Sequence, residues 1–163
     1  MTETAADYNI VAQDHWTHKS DVRLFLFEKY VDTPQDKEGT ILFVHGSSMA
    51  SQPTFDLQVP GRPFSSVMDW FAARGYDTWC VDMEGYGRSG KARDITCDIA
   101  NGADDLAAAS EYIQKLRGND GFLVYGISSG ALRAAKFARC DSKSGTATRG
   151  LRWLSSSSSL SAQ

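Results

Sequence analysis

Cysteine and proline are scarce in this sequence, which has 163 residues but only 3 cysteines and 4 prolines. The cysteines, Cys80, Cys97 and Cys140, are odd in number and lack the spacing of a disulfide framework. They form no C-x-x-C pair, so we expect neither structural disulfides nor a metal site. Cys80 lies in an apolar run after Trp79, which predicts a buried and unreactive thiol.

Long apolar segments are also lacking. The longest apolar run, at residues 41–44, is far shorter than the roughly 20 residues of a membrane-spanning helix. The first ten residues carry Glu3 and Asp7 and have neither the basic nor the apolar region of a secretory signal. We therefore expect no membrane partner and a reducing, cytoplasmic location.

Neither sign of charge dominates, since 17 basic and 20 acidic side chains give a formal net charge of −3. Proteins that bind nucleic acid usually carry a clustered basic face, so no nucleic-acid partner is expected. The hydrophobic content of 42% and charged content of 23% are ordinary for a globular protein. Length predicts a single domain.

Short apolar runs alternate with helical periodicities along the chain. Alternating segments at residues 8–12 and 22–27 flank a polar turn at 17–21, which predicts an antiparallel hairpin. Buried strands are predicted at 40–44, 78–81 and 122–125. The predicted helices have the periodic positions Phe64, Val67, Met68 and Phe71, then Leu106, Ala109, Ile113 and Leu116, and lastly residues 131–138. This order predicts an α/β fold whose mostly parallel sheet has an antiparallel hairpin at one margin.

A G-x-S-x-G pattern at residues 126–130 lies directly between a predicted strand and a predicted helix. In that context the pattern describes a nucleophile elbow, a sharp turn that holds the central serine, Ser128, in a strained conformation. Glycines flank the serine because side chains there would collide across the turn. The five-residue pattern alone is not specific, because glycine and serine are common. The alternative is a glycine-rich turn with no catalytic role.

Two further motifs end predicted strands. His45-Gly46-Ser47 follows the strand at 40–44, and D-x-x-G-x-G-x-S occupies residues 82–89. Together with the later G-x-S-x-G, their order resembles that of the α/β-hydrolase superfamily over residues 8–139. The resemblance implies a three-layer α/β-hydrolase-like fold, of which the chain holds only the N-terminal half, with an incomplete sheet.

The resemblance also implies roles for individual residues. Ser128 would be the catalytic nucleophile of an esterase-like serine hydrolase acting on a small acyl substrate. Ser129 and Ser47 would supply backbone N–H groups to the oxyanion hole. His45 would shape the oxyanion loop, residues 45–48, rather than act as a base.

Some neighbouring residues are expected to have structural roles. Asp82 and Arg88 are expected to stabilise their turn. Met49, Phe55 and Leu57 either line an acyl pocket or pack in the core.

The glycines at 85, 87 and 90 also match the dinucleotide fingerprint G-x-G-x-x-G. That motif needs a helix that starts at once, whereas residues 91–101 are polar and irregular. The acidic residues that follow, Asp104 and Asp105, are predicted at a helix start rather than at a strand end. No nicotinamide or other cofactor is therefore expected.

The sequence offers no evident base for Ser128, because no histidine follows it and Asp141 is the only later acidic residue. His15 and His18 fall in the hairpin and are expected to be surface residues without a role. Residues 140–163 have no sustained periodicity, which predicts a disordered tail after a partial domain at 1–139.

These features leave a second interpretation open: an inert fragment, truncated or frame-shifted, or an interaction protein. The strand near Leu123 would then be an apolar sheet edge, which predicts self-association.

Overall fold

The computed structural model describes residues 4–33, 38–93, 98–118 and 121–141. A short 3-10 turn, Ala5–Asp7, precedes five strands and four helices. They are β1 (Ile10–Lys19), β2 (Val22–Val31), β3 (Gly39–Val44), α1 (Ser51–Phe55), α2 (Val67–Ala72), β4 (Tyr76–Val81), α3 (Ile99–Arg117), β5 (Leu123–Gly126) and α4 (Ser129–Asp141). The strands form one sheet in the order β1-β2-β4-β3-β5, in which β4, β3 and β5 are parallel. The predicted α/β class with an antiparallel margin is confirmed.

The hairpin is longer than predicted. Both strands have ten residues, and they are joined at Ser20 and Asp21 alone. Ser20 has a φ of 53°, which suits a tight two-residue connection. The predicted turn at 17–21 is therefore wrong at its first three positions, because Thr17 pairs with Leu24 and stays in β1.

Helices cover both faces of the sheet. On one face, α3 and α4 pack on β-strand residues such as Leu42 and Trp79. On the other, Phe55 of α1 and Met68 of α2 pack with Phe43. The result is a three-layer structure whose sheet is buried in the middle.

Cys80 is fully buried in the second of these cores, as predicted. Burial raises the pKa of its thiol well above its usual value, so it stays protonated.

Two predicted helices differ in detail from the structure. The segment at 64–71 becomes helical only at Val67, where Ser66 caps α2 by accepting a hydrogen bond from the Asp69 amide. Phe64 lies outside the helix with a φ of 49°, and Val67 is exposed. The helix α3 ends at Gly118, which has a left-handed φ of 66°, and Leu116, one of its predicted periodic positions, is exposed.

The strand β5 lies at one end of the sheet and is paired, within the described residues, with β3 only. Tyr125 on this strand and Leu132 on the following helix are exposed. The apolar edge therefore exists where it was predicted, and self-association through it stays a prediction.

Near the C-terminus, the predicted domain end at 139 and the predicted disordered tail at 140–163 stay predictions. The helix α4 continues to Asp141, two residues beyond the predicted domain end at 139. The rest of the predicted disordered tail lies outside the described residues, as does Cys97. None of the helices in the described ranges is long and apolar enough to cross a membrane.

A cluster of charged side chains ties the hairpin to the glycine-rich turn and to α3. Lys19 donates to Glu84 over 2.9 Å and forms a second ion pair with Asp105. Arg93 donates to Glu84 over 2.6 and 2.5 Å. Arg93 has the largest effect and Lys19 adds to it, and together they lower the pKa of Glu84 from an ordinary 4.5 to about 2.

Glu84 is expected to make stability depend on pH. Because its folded pKa is depressed, its contribution is complete above its ordinary pKa and is lost as the pH falls towards 2. Glu84→Gln should lower the free energy of unfolding at neutral pH by about 2 kcal/mol and flatten the loss between pH 4.5 and 2. Urea titrations at several pH values measure both effects. Glu111→Gln, on the exposed face of α3, is the control. If the free energy of unfolding falls equally steeply with pH in both variants, Glu84 is not the group responsible for the pH dependence.

Candidate active site

Ser128 occupies a sharp turn between β5 and α4. Its φ of 53° lies in the left-handed region, which a serine rarely adopts, and its side chain is exposed. The turn is closed by hydrogen bonds from Gly130 N–H to the Ile127 carbonyl and from Ala131 N–H to the Ser128 carbonyl. The sequence therefore places a strained, accessible hydroxyl at the N-terminus of a helix, where developing negative charge is favoured.

The glycines around Ser128 leave no room for side chains. A Cβ at Gly126 would lie 2.6 Å from the Gly130 carbonyl carbon. One at Gly130 would lie 2.3 Å from the carbonyl oxygen of Val44, at the end of β3. The turn is thus packed backbone against backbone on the neighbouring strand, which explains both glycines of the motif.

The predicted oxyanion loop, residues 45–48, lies beside this turn. The Ser47 and Ser129 hydroxyls are 2.9 Å apart, so the structure brings two of the predicted site residues into contact. Gly46 approaches Ser128 so closely that a Cβ on it would be 3.0 Å from the Ser128 Cβ. Ser48 has a φ of 84°, a second strained residue in the same small region.

His45 is buried, and both of its ring nitrogens are engaged. Nε2 accepts a hydrogen bond from the Met83 amide at 3.1 Å, so it carries no proton. Nδ1 is therefore the protonated nitrogen and donates to the Gly46 carbonyl at 2.6 Å. Burial lowers the pKa of His45, which keeps the ring neutral. Its ring atoms link the start of the oxyanion loop to the residue after Asp82, in keeping with a loop-shaping role.

Asp82 holds the other side of this loop. Its Oδ1 accepts from the Ser51 amide at 2.8 Å and from the Ser51 hydroxyl at 2.6 Å. Its Oδ2 accepts from the Arg88 amide at 2.8 Å. Gly87 makes room for this carboxylate, since a Cβ there would lie 2.0 Å from Oδ2. The predicted structural role of Asp82 is confirmed, and its partner Ser51 carries no motif that the sequence could reveal.

Arg88 contributes to the turn mainly through its backbone. Its exposed guanidinium forms an ion pair with Asp14 over 2.5 Å and lies 3.8 Å from the ring centroid of Phe25. These contacts connect the turn to the hairpin and leave the guanidinium occupied on the protein surface.

His15 is not a free surface residue, which corrects the prediction. Its Nε2 lies 3.0 Å from Glu28, its Nδ1 lies 3.0 Å from the Tyr112 hydroxyl, and its ring packs on Trp79. The fully buried Glu28 is also bound by Arg117. The sequence pattern does not reveal this network. Alternation along β1 does not show which of its polar residues become buried against β2 and α3.

Neither hairpin histidine is close to Ser128. His18 is exposed on β1. The strands β1 and β5 are four positions apart in the sheet, which at about 4.8 Å per strand is roughly 19 Å. Within the described residues, the structure thus brings Ser128, Ser129 and Ser47 together and keeps His15 and His18 far from them.

The residues considered for an acyl pocket divide into two groups. Phe55 is buried in the core against Phe43, so packing explains it. Met49 and Leu57 are about half exposed and are available to contact a bound molecule.

The glycine-rich turn at 85–90 does not have the geometry of a dinucleotide site. The next helix, α3, begins at Ile99 and is capped by Asp98, so its N-terminus does not follow the glycines directly. Asp105 binds Lys19 and the Glu84 amide within the protein. Among the described residues no group of three or more histidine, cysteine or carboxylate side chains is arranged to hold a metal ion.

Solved structures with a similar fold include a hydrolase, an esterase and an epoxide hydrolase. A CIB-like hydrolase of Thermoplasma acidophilum has a TM-score of 0.59 at 17% identity, over 80% of this chain and 57% of its own. An esterase of Pyrococcus furiosus has a TM-score of 0.58 at 22% identity, over 83% and 49% of the two chains. Epoxide hydrolase I of potato has a TM-score of 0.61 at 23% identity, over 81% and 37%. The chain therefore spans only 37% to 57% of these proteins.

A comparison with curated protein sequences gives no match. The family model described as serine aminopeptidase, S33, matches residues 35–151, which is most of the chain. That range contains the oxyanion loop, the turn at 82–89 and Ser128. With the motif order and the observed sheet, this match shows that the chain belongs to the serine aminopeptidase S33 family of α/β-hydrolases.

Proposed function

We propose that Ser128 is the nucleophile of an acyl-transfer reaction and that the chain is the nucleophile-bearing part of a serine hydrolase. The observation that carries the proposal is the conformation of Ser128, which is strained, exposed and held between β5 and the N-terminus of α4. Ser20 has the same φ in a plain hairpin connection, so the support comes from the combination at Ser128 of this φ, an exposed side chain, closely packed flanking glycines and the start of a helix.

In the proposed reaction the Ser128 Oγ attacks the carbonyl carbon of an acyl substrate and loses its proton to a base. The carbonyl oxygen becomes an oxyanion, which accepts hydrogen bonds from the N–H groups of Ser129 and Ser47. Ser129 is the first residue of α4, and the first amides of a helix have no partner within it. Collapse of the intermediate expels the leaving group, and water then releases the acyl group from Ser128.

The substrate class proposed is a small carboxylic ester or related acyl compound. A serine nucleophile supports acyl chemistry, whereas the fold alone does not, since similar folds serve an esterase, a thioesterase domain and epoxide hydrolases. The exposed side chains of Met49 and Leu57 are suited to contact an apolar acyl group.

The proposal assigns the general base to no residue of this chain. The sequence has three histidines: His45 is fully engaged, and His15 and His18 lie on the far strand. General-base catalysis contributes about 10²–10⁴-fold to such reactions, so the chain alone should react slowly.

Labelling with a fluorophosphonate, read by intact mass, tests the proposal. We expect one slow adduct per chain, and added imidazole should accelerate it about tenfold by supplying the missing base. Ser128→Ala should abolish the adduct. Ser129→Ala is the matched control, because its backbone N–H remains and labelling should persist. An unlabelled wild-type chain that is folded would instead favour the inert or interaction protein.

A further inference from the structure

A buried arginine lies beneath the oxyanion loop. Arg133 is on α4, five positions after Ser128, and only 1% of it is exposed. Its Nη1 donates to the carbonyl oxygen of His45 at 3.2 Å. Burying a guanidinium is costly unless its hydrogen bonds and charge are used, so this position needs an explanation beyond packing.

The neighbouring helix is shaped around this side chain. A Cβ at Gly102, on α3, would lie 2.4 Å from the Arg133 Cδ and 2.8 Å from its Nε. Only glycine at position 102 leaves room for the arginine stem in this position. Two helices therefore cooperate to place one cation at the carboxyl end of β3.

The carbonyl group that Arg133 binds belongs to the residue that organises the oxyanion loop. His45 can accept from the Met83 amide only while its ring is neutral, because a protonated Nε2 would face another donor. Burial lowers the pKa of His45 most and the charge of Arg133 lowers it further, whereas the Gly46 carbonyl and Asp82 raise it. The cation thus acts on the loop twice, through the His45 carbonyl and through the charge state of its ring.

We propose that Arg133 is a positioning residue that holds the oxyanion loop against Ser128, acting through the carbonyl and imidazole of His45. The inference rests on the proposed function, since loop position matters for chemistry only if the Ser47 N–H binds the oxyanion. Arg133 itself does not touch the substrate.

Two readouts on folded variants test this role: the rate of Ser128 labelling by a fluorophosphonate and the ¹⁵N chemical shifts of the His45 ring across a pH titration. Arg133→Met should slow labelling about tenfold and raise the pKa of His45, because a nearby positive charge is removed. Arg133→Lys keeps the positive charge, so His45 should titrate as in the wild type and the rate of Ser128 labelling should be partly restored. Lys136→Met, exposed on the same helix, is the control and should change neither.

A second variant covers the case in which Arg133→Met does not fold. Gly102→Ala keeps the arginine but displaces it, and it should produce the same two changes. A folded variant of either kind with wild-type labelling and wild-type His45 titration would overturn the proposal. If the folded wild-type chain is not labelled at all, the proposed function fails. The effect of Arg133→Met on the His45 titration then decides by itself whether Arg133 acts on His45.

Discussion

Gly130→Ala is expected to lower the free energy of unfolding by about 3 kcal/mol and to slow labelling of Ser128 by about a hundredfold. The added methyl group would lie 2.3 Å from the Val44 carbonyl oxygen and 2.5 Å from that of His45. Both contacts are with backbone, so no side-chain rotation relieves them. The start of α4 must move away from β3, and Ser128 moves with it.

Gly118→Ala is the matched control for this variant. Gly118 ends α3 with a φ of 66°, but a Cβ there meets nothing within 4 Å. Alanine in a left-handed conformation costs about 1 kcal/mol, and the turn at Ser128 is unaffected. Urea denaturation and labelling rates separate the two variants, and similar losses in both would show that the close packing of Gly130 is not what supports the turn.

Asp82→Ala is expected to be the most damaging change in the turn at 82–89. It removes the acceptor for three hydrogen bonds, two from Ser51 and one from the Arg88 amide, and leaves the two Ser51 donors buried without a partner. At about 1–3 kcal/mol for each unsatisfied group, we expect a loss of about 4 kcal/mol. Because Ser51 begins α1, three residues after the loop that carries Ser47, labelling of Ser128 should also fall.

Two variants calibrate this expectation in urea denaturation. Asp82→Asn keeps an oxygen for Ser51 but presents an amide group to the Arg88 N–H, so about half the loss should remain. Asp98→Ala removes a helix cap, in which Asp98 accepts a hydrogen bond of 2.7 Å from the Asn101 amide, and should cost about 1 kcal/mol. A loss at Asp82 no larger than at Asp98 would contradict the structural role given to the Asp82 carboxylate.

The sequence predicts the parts of this fold that depend on local pattern. The alternation of apolar strands with helical periodicities leads directly to the α/β class, and the G-x-S-x-G spacing locates the turn that holds Ser128. The predictions that are wrong concern residues whose local structure depends on tertiary neighbours. Thr17 stays in β1 because β2 pairs with it, and Phe64 leaves its helix because Ser66 caps the chain two residues later.

The polar interior is the part that sequence patterns do not predict. The sequence predicts His15 at the surface. In the structure its ring contacts Glu28 and Tyr112, which are 13 and 97 residues away in the sequence. Arg133 lies in a run of small and basic residues, and only the space left by Gly102 places it beneath the oxyanion loop. Such contacts join distant segments, so no local periodicity marks them.

The most direct test of the central claim compares fluorophosphonate labelling of the folded chain with that of the chain unfolded in urea, with the adduct located by peptide mapping. If the fold activates Ser128, the folded chain carries the label on this serine, imidazole accelerates the reaction, and unfolding abolishes the preference over the other serines. Equal labelling of many serines in both states, or none at Ser128 in the folded chain, would contradict the claim that this turn is a nucleophile elbow.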